Sequence, residues 1–213
     1  MWKETFKRMF SFFFDNPVVF LIILSNYALM FLFAPIIGVV ASWFIATFYL
    51  VGLHGDINNL WEDLKRFAKW GFLVAIVLYL LYIATGVGSY FLYNFLIFKL
   101  KVSFSGLMVF TVFYSLLLAA IIHAIYVPLF AARDFKEFLE YLKQVKLLYT
   151  TKLGIQTLFL LWGFMFLTLL TGLIKFIHAT VGLYSVVATF WLTYYTFLAV
   201  KVFKSNQLKE VEK

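Results

Sequence analysis

Cysteine is absent from the chain. That excludes disulfide staples, thiolate metal sites and cysteine nucleophiles. Charge is scarce: charged residues make up 13%, against roughly 25% in soluble globular chains. No Lys, Arg, Asp or Glu occurs within 16–55, 70–98, 102–132, 153–174 or 176–200. Familiar catalytic patterns are missing: no HExxH, no phosphate-binding P-loop, no GxSxG and no paired carboxylates inside an apolar run. A proton or ion pump normally needs an embedded acid or a cationic relay, and neither is evident. The chain is therefore expected to be no enzyme, with no cofactor and no metal.

What is present is apolar. Hydrophobic residues make up 64% of the 213 positions, against roughly 45–50% in a soluble domain. A spanning helix needs about 20 apolar residues, because the hydrocarbon core is roughly 30 Å thick. Four of the charge-free runs suit one crossing each, and the first suits two. The runs are continuously apolar rather than alternating, which favours helices over a barrel. The expected fold is an all-α polytopic bundle forming a single membrane domain over 1–213. Its six crossings fall near 17–34, 36–54, 71–97, 104–132, 153–174 and 178–200. Pro35 and Gly38 mark the break in the first run, since proline cannot donate a helical hydrogen bond. One long helix kinked there, with five crossings, is the alternative. Met1–Asp15 is aromatic and charged and carries no cleavable leader signature.

The formal net charge of +8 does not point to nucleic acid, because the basic residues flank apolar runs instead of clustering on a soluble module. With six crossings, 15 of the 18 Lys and Arg share one side: three in the N-terminal segment, three in 55–70, five in 133–152 and four in the tail. Only Lys99, Lys101 and Lys175 oppose them, and all ten acids join the majority. Five crossings would give a split of 12 to 6. The positive-inside bias prefers the first arrangement and puts both termini of the expected multi-pass protein in the cytoplasm.

Two amphipathic segments interrupt the pattern. In 56–70, Ile57, Leu60, Trp61, Leu64 and Phe67 form a helical stripe; in 134–148, Phe135, Phe138, Leu139, Leu142 and Val145 do the same. The segments are offset by 78 residues throughout, which matches Asp56 with Asp134 as N-caps, Glu62 with Glu140, Leu64 with Leu142 and Lys65 with Lys143. They are too charged to span. They are expected as two interfacial elbow helices within a duplicated crossing–elbow–crossing unit. One reading makes the elbows surface anchors of the bundle. The other makes them docking sites for a cytoplasmic partner, through Glu62, Asp63, Lys65, Arg66, Glu140 and Lys143, since mixed charge suits a protein better than an anionic lipid surface.

Polar residues inside the runs are few. Asn26 and His123 form the candidate intramembrane polar site, with Gln156 and His178 as further polar positions; interhelical hydrogen bonding is the competing reading. Small residues at i, i+4 form candidate packing faces: Gly38, Ser42 and Ala46, then Ala84 and Gly88, then Ser115 and Ala119. Trp70, Tyr93, Tyr126, Tyr149 and Tyr184, near crossing ends, read as interfacial belts.

Two stretches carry a family resemblance. Pro35-Ile36-Ile37-Gly38 opens a helix that runs through Tyr49 into an elbow with Phe67 and Lys69. Tyr126-Val127-Pro128-Leu129-Phe130-Ala131-Ala132-Arg133 precedes the second elbow. In these, and in the order of elements, the chain resembles the YesL family of small bacterial membrane proteins. It departs from that pattern in having Ile37 where a threonine precedes the glycine, and one extra alanine before Arg133. The resemblance brings no catalytic residues. It implies an accessory or regulatory role beside a carbohydrate importer of the ATP-binding-cassette (ABC) type, with the lipid bilayer and importer subunits as partners. The alternative is a small-molecule binding or transport protein, like the six-helix substrate-capture component of an energy-coupling-factor importer, with Asn26, Asn94, His123 and Thr168 lining a polar pocket.

Overall fold

A computed structural model describes residues 1–31, 35–56, 59–173 and 181–203. The described residues are helical, with no strand among them. The helices are α1 (Trp2–Phe14), α2 (Pro17–Phe31), α3 (Pro35–His54), α4 (Leu60–Asn94, continued by a π-helical turn Phe95–Lys99) and α5 (Phe104–Ala131). They are followed by α6 (Phe135–Lys143), α7 (Leu147–Thr150), α8 (Lys152–Leu173) and α9 (Val181–Ala199). Five helical stretches are long and apolar enough to cross a membrane: 36–54, 60–99, 104–131, 152–170 and 185–203. A sixth arises if α1 and α2, which meet at 94°, count as one broken span.

The first apolar run divides as expected. α2 ends at Phe31, α3 starts at Pro35, and the two pack against each other. Proline suits the first turn of a helix, where its missing N–H would go unused. The helix of crossing 3 starts earlier than expected. α4 already begins at Leu60, and the expected start of crossing 6, with His178, lies outside the described residues.

The two elbows come out unequal. The second is a separate helix, α6. Asp134 caps it by accepting from the Glu137 N–H at 2.9 Å, and the Glu137 carboxylate accepts from the Arg133 N–H at 2.9 Å. The first is no separate helix: residues 60–70 run without a break into the span, giving a 40-residue rod of about 60 Å at 1.5 Å per residue. The second segment stops at Lys143 and turns at Gln144, whereas the first runs on through the matching Arg66. Thr151 ends α7, and its hydroxyl accepts from the Gly154 N–H at 3.1 Å to start α8. Leu73 stands at the corresponding position and offers no capping oxygen. Asp56 is likewise not the N-cap of α4. That position belongs to Asn59, while the Asp56 N–H donates to Asp63 Oδ2 at 2.6 Å.

α3 and α4 approach closely where glycine allows it. A Cβ on Gly71 would stand 2.3 Å from Thr47 Oγ1, and one on Gly38 would stand 2.3 Å from the Tyr79 ring. Ser42 and Ala46 are buried on the same α3 face as Gly38. Ser115 and Ala119 are buried on α5. Ala84 and Gly88 do not pack against another helix of this chain: both are exposed, and a Cβ on Gly88 would meet nothing within 4 Å. They lie farther along α4 than Tyr79, which already packs against Gly38 near the start of α3.

Tryptophans tie helices together through backbone carbonyls. The indole N–H of Trp43 donates to Ala68 O, that of Trp70 to Ala132 O, and that of Trp191 to Leu160 O, at 2.9–3.0 Å. With His54 Nε2 on Phe130 O at 2.9 Å, Trp70 supplies partners to the last carbonyls of α5, which no intrahelical N–H can reach.

Candidate functional site

The buried polar groups gather along α9. Thr189, Thr193 and Thr196 recur on it at helical spacing, each bonding its own helix four residues back. Because Thr193 and Thr196 spend their single protons on those carbonyls, their oxygens are left to accept. Tyr49 of α3 donates to Thr193 at 2.8 Å, and Tyr27 of α2 donates to Tyr49 at 3.0 Å. Tyr126 of α5 donates to Thr196 at 2.7 Å. The result is a directed chain, Tyr27 to Tyr49 to Thr193 to the Thr189 carbonyl, with a shorter one beside it.

His123 joins this seam. It is fully buried, and its Nδ1 lies 2.6 Å from the Tyr195 hydroxyl. Its Nε2 has no hydrogen-bond partner among the described residues. Asn26 is buried too, but its amide turns back to Ile22 O at 2.7 Å within α2. Asn26 and His123 thus have separate partners and do not form one site. Asn94 and Thr168 also bond their own helices, to Tyr90 O and Phe164 O, so neither bond crosses toward a shared pocket. Gln156 is half-buried.

The belt assignment is corrected for three residues. Trp70, Tyr93 and Tyr126 are buried, with the Tyr93 hydroxyl bonded to Thr111 at 2.7 Å. Tyr149 is half-buried and donates to Ala120 O at 2.6 Å. The Tyr184 side chain lies outside the described residues. Tyrosine near an apolar run's end looks the same in sequence whether it faces lipid or a neighbouring threonine. The threonines at 189, 193 and 196 were the available signal, because an i, i+4 hydroxyl pattern marks one helix face.

A second cluster occupies the end of the bundle where α3 stops and α4 starts. Arg8 reaches from α1 to the last carbonyls of α3, donating to Gly52 O at 2.7 Å, and its guanidinium lies 5.8 Å from the Phe197 ring centroid. Burial lowers its pKa from the ordinary value, although arginine stays charged. Beside it, a polar cleft of about 760 Å³ is lined by Lys7, Ser11, Asp15, Asn16 and Asp56. On the same end, Glu62, Lys65, Arg66, Glu140 and Lys143 are exposed and Asp63 is half-buried. Large apolar side chains stand among them: Trp61 is 77% exposed, Phe135 56% and Leu139 44%. Trp70 links the two charged segments, with its indole on Ala132 O and its ring 6.1 Å from that of Phe138.

Along the apolar flank, a groove of about 670 Å³ runs between α2 and α9, lined by Val18, Leu21, Ile22, Ser25, Ala28 and Ser185. No group of three or more His, Asp or Glu suited to a metal occurs among the described residues. No known family pattern, curated protein or solved structure matches this chain.

Proposed function

We propose that this chain is a non-enzymatic accessory or regulatory protein of the prokaryotic cell membrane, docking the subunits of a carbohydrate ABC importer through its cytoplasmic rim. It crosses the membrane six times, and both termini lie in the cytoplasm. Supporting this orientation, the basic residues Arg8, Lys65, Arg66, Lys69 and Arg133 gather at one end of the bundle.

The observation that carries the docking role is the exposure of Trp61, Phe135 and Leu139 among charges of both signs. Protein interfaces combine apolar anchors with a polar rim. The importer as partner rests on the family resemblance. A substrate-capture role fits the internal polar groups less well, because the hydroxyls of the α9 seam are spent on one another and Asn26 on its own helix.

The test is affinity purification from native membranes in mild detergent, with and without amine crosslinking. Importer subunits should co-purify with the native chain and be lost from the Phe135→Ser, Leu139→Asp double variant. Recovery of the native chain alone, even after crosslinking, would sink the reading. A ligand-specific thermal shift with a sugar or vitamin would favour substrate capture instead.

A further inference from the structure

We infer that α1 is a membrane-surface anchor whose partner is the lipid leaflet at the charged end of the bundle. The circumference of α1 is divided into unequal arcs. At about 100° per residue, Thr5, Met9, Phe12 and Phe13 share one arc, and all four are buried on the bundle. Trp2, Phe6, Phe10 and Phe14, each four residues on, share a neighbouring arc. Phe6 is 51% exposed and Phe14 66%. Lys7, Ser11, Glu4 and Arg8 complete the circle. The apolar arc is therefore wider than the bundle covers, and the uncovered part is a continuous aromatic edge.

Three features of the surroundings indicate what covers that edge. First, α1 meets α2 at 94°, so when α2 runs across the bilayer α1 lies along its surface. Second, the aromatic edge touches side chains of a spanning helix: the Trp2 and Phe6 rings lie 6.0 and 6.1 Å from Tyr194, and the Phe10 ring 6.4 Å from Phe190. That places it at acyl-chain depth rather than out in the cytoplasm. Third, the edge leads in sequence into exposed Val18 and Leu21, which line the apolar groove between α2 and α9. Lys3 and Lys7 flank the edge, with stems long enough to carry their ammonium groups up to lipid phosphates. α1 then has three surroundings: protein on one side, acyl chains beneath and water above. The Arg8 bond to Gly52 ties this anchor to the end of α3.

The absence of cysteine makes the test direct. Single cysteines at positions 6, 10 and 14 and, separately, at 7 and 11 carry nitroxide labels in lipid nanodiscs of mixed zwitterionic and anionic phospholipid. Collision with oxygen and with a water-soluble nickel chelate reports depth. Labels at 6, 10 and 14 should favour oxygen and share one depth, whereas 7 and 11 should favour the chelate. A depth gradient of about 12 Å from 6 to 14, as expected for a helix running across the bilayer, would overturn the proposal. So would chelate access at all three positions, which would mean an edge open to the cytoplasm, or dipolar broadening between labels, which would mean an edge covered by a second copy.

Discussion

Replacing Tyr49 with phenylalanine removes one oxygen from the middle of the Tyr27–Tyr49–Thr193 chain. Thr193 keeps its own bond to the Thr189 carbonyl, so its hydroxyl is not stranded. Tyr27 fares worse. It is buried, and Tyr49 is its hydrogen-bond partner. Interhelical hydrogen bonds in membranes average about 0.6 kcal/mol, so the two lost bonds account for about 1.2 kcal/mol. An orphaned buried hydroxyl costs roughly 1–3 kcal/mol more. Tyr49→Phe should therefore destabilise by about 2–4 kcal/mol. Tyr27→Phe removes only the end of the chain and should cost about 0.6 kcal/mol. In the double variant no hydroxyl is stranded, and the total should return to about 1.2 kcal/mol. Tyr27→Phe is thus expected to destabilise the native protein but to stabilise the Tyr49→Phe variant. Reversible unfolding in mixed detergent–lipid bicelles, run as a double-mutant cycle, reads this sign change. Additive losses in the double variant would refute the directed chain.

Glycine should matter where helices touch and not elsewhere. Gly71→Ala drives a methyl into Thr47 and should cost about 1–3 kcal/mol, whereas Gly88→Ala meets open space and should gain up to roughly 1 kcal/mol of helix propensity; unfolding of the two variants side by side checks this. Asp134→Ala removes the cap of α6 and should cost about 0.5–2 kcal/mol, with faster amide exchange confined to residues 135–143. Trp70→Phe keeps the packing but leaves carbonyls at the end of α5 short of a donor; a loss of roughly 1 kcal/mol is expected, with exchange rising around Ala131.

The spans were legible because their signal is long. About twenty consecutive charge-free, apolar residues suit a bilayer crossing and little else, and α3, α5 and α8 start and stop within a residue or so of the sequence limits. Only the start of the second amphipathic segment was legible, through Asp134, whose capping role needs only a local N–H; its helix stops at Lys143, short of the expected 148. The first was not. Its stripe and charges suit an interfacial helix, but they do not tell that the helix runs on past Arg66 into the span where its counterpart stops at Lys143. α1 was obscured for a related reason. Its apolar residues serve two surroundings, so they fill too wide an arc for a simple amphipathic stripe. The α9 seam was hidden because Tyr27, Tyr49, Tyr126 and Tyr195 find their partners across other helices. Sequence shows the hydroxyls, but only packing shows which of them meet.

The unequal elbows bear on how the rim could act. α4 carries Trp61, Glu62, Lys65 and Arg66 on a helix continuous with its span, so those residues can move only if the span moves. α6 carries Phe135, Leu139, Glu140 and Lys143 on nine residues between a capped start and a turn at Gln144. Its Phe138 and Tyr141 rings pack beside those of Trp70 and Phe203. A partner seated on both segments would touch one half continuous with a span and one half set off by turns. Trp70 stands between them, with its indole on Ala132 and its ring beside Phe138. Displacement of α6 would therefore be felt first at the end of α5, close to Tyr126 and the seam on α9. On the proposed docking role, that contact is the short physical route from the rim to the interior of the bundle, and the exchange measurement on Trp70→Phe probes its first step.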